Sequence, residues 1–238
     1  MASTMRDQGA VGAYERDTTP SEEYRAALTA LLTTQSVPVW NVAQRDAFGE
    51  HVMNGPSLDH WVRTANVWAE LERNVWEFGN IAAAAGIPVT DGQVDGQVDG
   101  PWSGLSGRVA EAQGSWLGLV FSLCYLDSIG HAMIRQCTES NYGPLLRASR
   151  PGPNAKWGMV ATGLLCLGEV VALDQLPRAD VLDARAQWHT LADDVMRIVV
   201  AQEASNRWVS EGIAAPIDAT QVLAAADARV AIRLEAWS

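Results

Sequence analysis

Apolar residues run through this chain in long segments closed by proline and glycine, and nowhere alternate with period two over a useful length. That pattern leaves no room for a sheet and confines the fold to an all-α class. After a polar arm at residues 1–19, the run Thr19, Pro20, Ser21, Glu22, Glu23 reads as a helix start with acidic residues in the first turn. The first helix is expected over Ser21–Phe48, with Pro38 removing a backbone donor and kinking it near Trp40. Ser57, after Gly55 and Pro56, is placed to cap a second helix that runs to Ala85 and stops at Gly86, Ile87 and Pro88.

The repeat DGQVDGQVDG at Asp91–Gly100 is too rich in glycine and aspartate to hold a packed element and reads as a surface linker. A third helix is expected over Ser106–Glu139, closed by Asn141, Tyr142, Gly143 and Pro144, and a fourth over Asn154–Leu176, ended by Pro177. Further helices at Asp180–Glu211 and Asp218–Ala236 complete the chain. The sum is a single domain over residues 20–238, a four-helix bundle with additional C-terminal helices.

With 238 residues, 48% of them apolar, the chain can bury a substantial core. Its net charge of −11 sets up a field that repels phosphate backbones and anionic headgroups, which argues against nucleic-acid and membrane partners. Met1–Thr19 carries five charged side chains and no apolar core segment, so no signal peptide is expected. Cys124, Cys137 and Cys166 fit neither a disulfide framework nor a zinc site, and are expected to be small core residues of a cytoplasmic protein. Glu169 interrupts the most apolar stretch, Gly158–Leu173, which therefore reads as a buried helix. Arginine and alanine are abundant while Lys156 is the sole lysine, a bias of GC-rich genomes such as those of actinomycetes.

The segments PSEEYRAALTALLTTQ at Pro20–Gln35 and GPSLDHWVRTANVWAELERNVWEFG at Gly55–Gly79, with SNYGPLLR at Ser140–Arg147, resemble the phenylacetic acid catabolic protein family, the ferritin-like subunits of phenylacetyl-CoA epoxidase. Together they cover about residues 20–160. The resemblance implies a ferritin-like bundle with a diiron site made by a carboxylate on the first helix, Glu-x-x-His on the second, a carboxylate on the third and Glu-x-x-His on the fourth.

Carried onto this chain, that pattern finds Glu70 and Asp127 at two carboxylate positions, but Trp40 at the third, Arg73 at one imidazole, and Lys156 and Met159 in place of the last glutamate and histidine. Four of six ligands are replaced, so no metal and no other cofactor is expected. Two cations facing two carboxylates restore approximate neutrality, and a charge-paired interior is expected instead. Such a cluster either only holds the former site together or serves acid–base chemistry, with Lys156 as the leading proton-transfer group, Asp127 and His131, one helical turn apart, as a base, and Glu70 and Arg73 as a positioning pair. Trp40, Trp68, Trp157 and Met159 would line a substrate pocket, or simply fill the core.

His189 and Asp193, four residues apart, read as a surface pair, and Asp59 and His60 as capping residues. Glu169, thirteen residues beyond Lys156 and roughly 20 Å along a helix axis, cannot reach the same centre. No phosphate loop or nucleophile elbow appears. The reading that follows is a metal-independent enzyme repurposed from an acyl-thioester oxygenase scaffold and acting on a small hydrophobic or thioester substrate, with a non-catalytic subunit partnering a diiron homologue as the alternative and a working diiron monooxygenase behind both. A homodimer, or a heterodimer with a homologous subunit, is expected in either case.

Overall fold

The computed structural model describes residues 21–36, 51, 54–66, 81, 83, 102, 104–149 and 158–235. Its described part is all-α, without a strand. The first helix, α1, spans Glu22–Ser36. The Ser21 hydroxyl accepts the Tyr24 N–H at 3.1 Å, and Glu22 and Glu23 lie at the positive end of the helix dipole, as the sequence led one to expect. Tyr24, Ala27, Leu28, Leu31 and Leu32 are buried, a stripe at i, i+3, i+4, i+7 and i+8. Pro38 and the proposed kink lie outside the described residues, as do the N-terminal arm and the linker at 91–100.

The second helix, α2, is described over 58–66, and Ser57 caps it as anticipated, its hydroxyl accepting the His60 N–H at 3.3 Å. The expected third helix is two. Leu105–Ala112 forms α3 and Trp116–Gln136 forms α4, separated by a turn at Gln113–Ser115. The physical cause is local: Ser115 adopts an extended conformation and caps α4 by accepting the Gly118 N–H at 3.0 Å. The α3 end packs so tightly on this turn that a Cβ at position 118 would strike the Ala112 carbonyl, which only glycine avoids.

A 3₁₀ turn at Cys137–Glu139 leads to the short α5, Gly143–Ser149, and then to α6, Gly158–Ala172. Helix α7, Arg178–Asn206, ends where Arg207 turns left-handed at φ 60°. Helix α8, Ala219–Leu234, is capped by Asp218, which accepts the Gln221 N–H at 2.9 Å.

Helix α4 is the axis of the fold, packed against α6, α7 and α8. It is long and apolar enough to cross a membrane by length and composition, yet 67% of its most apolar window is buried within the protein, the condition of a central core helix. The main core joins Trp116, Phe121, Tyr125 and Ile129 of α4 to Leu167 and Val170 of α6, Trp188 and Val195 of α7 and Val230 of α8. A second core around Tyr24, Leu28, Tyr142, Leu145, Trp208 and Ile213 seals one end. Asn141 ties that end together, accepting the Tyr24 hydroxyl at 2.6 Å and donating to the Glu211 carbonyl at 2.8 Å. The three cysteines are free and buried, as their spacing implied.

Candidate functional site

Glu70, Arg73, Lys156, Trp40, Trp68 and Trp157 lie outside the described residues, and so does the side chain of Met159. Asp127 and His131 sit one turn apart on α4, both half-buried. Asp127 acts on the core beside it: after burial itself, its charge is the next cause that raises the Cys124 thiol pKa far above its usual range. Among the described residues, no group of three or more His, Cys, Asp and Glu side chains converges as a metal site.

The structure instead brings together residues that sequence spacing had kept apart. His60, in the first turn of α2, is 1% exposed, and its Nε2 lies 2.9 Å from Oε2 of Glu169 in the middle of α6. Nε2 makes no aligned hydrogen bond, so this is a close polar contact between the ring nitrogen and the carboxylate. The other carboxylate oxygen, Oε1, accepts from Arg63 Nη1 at 2.7 Å. His60 and Arg63 are three residues apart and share a helix face, so both reach the same acceptor.

On its other side, His60 Nδ1 lies 3.0 Å from the Ser57 hydroxyl. Ser57 Oγ accepts the His60 N–H and keeps both a proton and a second lone pair for Nδ1, so the direction of that contact follows the imidazole tautomer. In the tautomer protonated at Nε2, that N–H faces Glu169 and Nδ1 accepts from Ser57. Thus Ser57, His60 and Glu169 form a chain of hydroxyl, imidazole and carboxylate across two helices.

The surroundings keep water from the imidazole. The Trp116 indole lies against it, ring centroids 5.1 Å apart. Gly55 makes this approach possible, because a Cβ there would come within 2.8 Å of Trp116 Nε1 and 3.2 Å of His60 Cβ. Thr64 donates to the His60 carbonyl at 2.8 Å and fixes the turn. Beneath the cluster, burial pushes the Cys166 thiol up to about 11; Arg63 opposes the shift and Glu169 adds to it. The reading of His60 as a capping residue is therefore incomplete: it touches its cap, Ser57, but its ring is buried and joins α2 to α6, while Asp59 is exposed.

A second histidine–carboxylate pair lies across the fold. His189 Nδ1 of α7 is 2.8 Å from Asp227 Oδ2 of α8, and the buried Tyr125 hydroxyl of α4 donates to Asp227 Oδ1 at 2.6 Å. Burial first, then the hydrogen bond and charge of Asp227, raise the Tyr125 pKa well above its usual range. The expected His189–Asp193 pair is not formed. Asp193 holds Arg197 at 2.7 and 3.0 Å, because a guanidinium four residues on offers two donors, and His189 turns to Asp227 instead.

His60, Arg63, Glu169 and Asp227 are thus the residues that sequence reasoning did not place in a site. One signal was present: Glu169 stands as a lone charge in an apolar helix, and such a group requires a partner when half-buried. Comparison of the chain with protein-family models, with curated proteins and with solved structures yields no match.

Proposed function

We propose that this chain is a metal-independent acid–base enzyme on a ferritin-like scaffold, repurposed from an acyl-thioester oxygenase and acting on a small hydrophobic or thioester-linked substrate in bacterial metabolism. One observation carries the reading: a buried imidazole, His60, held between a serine hydroxyl and the Glu169 carboxylate. A histidine buffered by a carboxylate on one nitrogen and open to a proton donor on the other is the unit that general-base catalysis uses. In the family this chain resembles, the second and fourth core helices carry the Glu-x-x-His pairs. Here α2 and α6 are joined by His60, Arg63 and Glu169. The ligand positions occupied by Trp40, Arg73, Lys156 and Met159 support chemistry without iron.

The test is substrate consumption. Protein dialysed against a chelator is incubated with a panel of aryl- and alkyl-acyl thioesters, and each is followed by mass spectrometry. Turnover of at least one is expected, and His60→Gln should lose about 100-fold or more, the scale of a removed general base. Activity that depends on added iron, or that survives His60→Gln, rejects the reading.

A second reading, a non-catalytic subunit paired with a diiron homologue, draws support from Leu58, Val62 and Leu165. These are 65%, 50% and 49% exposed, on the two helices that carry the cluster. Stable co-purification with such a homologue and no turnover of any thioester would favour it.

A further inference from the structure

We infer that Ser57 is a nucleophile, activated by His60 and Glu169, and that the site takes acyl esters or thioesters through a covalent acyl-serine. The inference rests on the reading of His60 as a base and goes beyond it by naming the group that His60 deprotonates. The imidazole is 1% exposed, one nitrogen faces Glu169, and the other faces the Ser57 hydroxyl at 3.0 Å. The hydroxyl in contact with that second nitrogen is the one a base here would deprotonate. Ser57 itself is only partly buried, so a substrate carbonyl has access to Oγ while the base stays dry.

The third requirement for acyl transfer is a donor for the oxyanion. In the first turn of α2, Trp61 N–H bonds the Ser57 carbonyl and His60 N–H bonds the Ser57 hydroxyl. The N–H groups of Leu58 and Asp59 lie before the first intrahelical bond, where a helix supplies no intrahelical acceptor for its donors. Backbone N–H groups at a helix start are a donor set that can stabilise a developing oxyanion, and Leu58 N–H, next to Ser57, is the candidate donor.

The steps balance without any redox partner. As Ser57 Oγ bonds to the acyl carbon, its proton passes to His60 Nδ1, and Glu169 stabilises the resulting imidazolium, with Arg63 holding that carboxylate in place. The carbon–sulfur or carbon–oxygen bond to the leaving group then breaks, and the leaving group departs with the proton from His60. Water attacks the acyl-serine, yields a proton to His60, and Ser57 recovers its hydroxyl proton as the carboxylic acid is released.

The experiment is labelling of the full-length protein with a fluorophosphonate, which loses fluoride as it phosphonylates activated serines, followed by peptide mapping. One adduct is expected, on Ser57. Ser57→Asn keeps an N-cap as good as serine but offers no nucleophile, so it should fold and remain unlabelled. His60→Gln should slow labelling about 100-fold or more, and Glu169→Gln by a smaller factor. Thermal unfolding of each variant separates lost chemistry from lost folding. No adduct on folded wild type, or an adduct elsewhere that persists in Ser57→Asn, overturns the proposal. Thioester turnover that survives Ser57→Asn but is lost in His60→Gln also overturns it, and leaves His60 as a base acting on water. Loss of turnover in neither variant removes the acid–base reading as well.

Discussion

The two histidine–carboxylate pairs of this protein set imidazoles of very different burial against partly exposed carboxylates. His60 is sealed against Trp116 and reaches a carboxylate, Glu169, that is 36% exposed; His189 is 50% exposed and reaches a carboxylate, Asp227, anchored from beneath by the buried Tyr125 hydroxyl. In the first pair the base is dry and its partner partly exposed, whereas in the second the base is half-exposed and its partner, at 27%, is partly exposed too. A dry imidazole with a hydroxyl on its free nitrogen has a defined proton partner, whereas a wet one exchanges protons with solvent and its ion pair is weakened by screening. On the proposed reading the first arrangement serves chemistry, while the second clamps α7 and α8 onto α4.

Truncating the two histidines should break the symmetry most visibly. His60→Ala removes a fully enclosed ring and leaves a cavity beside Trp116, at a cost of about 2–4 kcal/mol. His189→Ala removes a half-exposed partner and should cost about 1 kcal/mol or less. Urea titrations of both variants check this, and equal losses would mean that His60 is solvated in solution.

Tyr125→Phe probes the clamp from below. It deletes the 2.6 Å bond to Asp227 without changing the packing of the ring, and a charge-assisted bond to a partly exposed carboxylate should be worth about 1–2 kcal/mol. Because that bond also orients Asp227, the His189 ring should become more mobile, visible as averaged imidazole shifts in NMR spectra. Wild-type stability in this variant would reduce Asp227 to an ordinary surface carboxylate.

The smallest effect is a pH dependence that distinguishes the ground under each pair. Cys166, beneath the first, has a folded-state pKa of about 11 against an ordinary 9.0. The folded state holds its proton longer than the unfolded state does. Its contribution to stability is therefore complete below about pH 9 and is lost as pH rises through about 11. Cys124 shifts in the same direction, and Tyr125, beneath the second pair, adds a loss only above its ordinary 10.0. Cys166→Ala should flatten the fall in stability between pH 9 and 10 more than Tyr125→Phe does. A slope unchanged by Cys166→Ala would show that this thiol is not buried in solution.

Helical content was legible in the sequence because it depends on near neighbours. Ser21 and Ser57 before acidic or apolar turns, the 3.6-residue stripe of α1 and the absence of alternation are all read within a few residues, and the structure follows them. The break between α3 and α4 is not evident in the sequence, because Gly114, Ser115 and Gly118 look tolerable inside an apolar helix; the structure uses Ser115 as a cap and Gly118 where the Ala112 carbonyl comes close.

Charge partners were a different matter. The spacing of His189 and Asp193 made a local pair plausible, yet Arg197 competes for Asp193 from the same helix and Asp227 offers His189 a carboxylate from another. Glu169 announced by its solitude that it needed a partner, but His60 and Arg63 stand more than a hundred residues away, and no periodicity encodes which helix will face it. The sequence by itself determined the all-α class, the caps and the burial of three cysteines, since these follow from local hydrogen bonding and from the segregation of apolar residues. Which hydroxyl meets which imidazole, and which imidazole meets which carboxylate, only the tertiary structure decided, because those distances depend on how α2 and α6, distant in the chain, come to lie against each other.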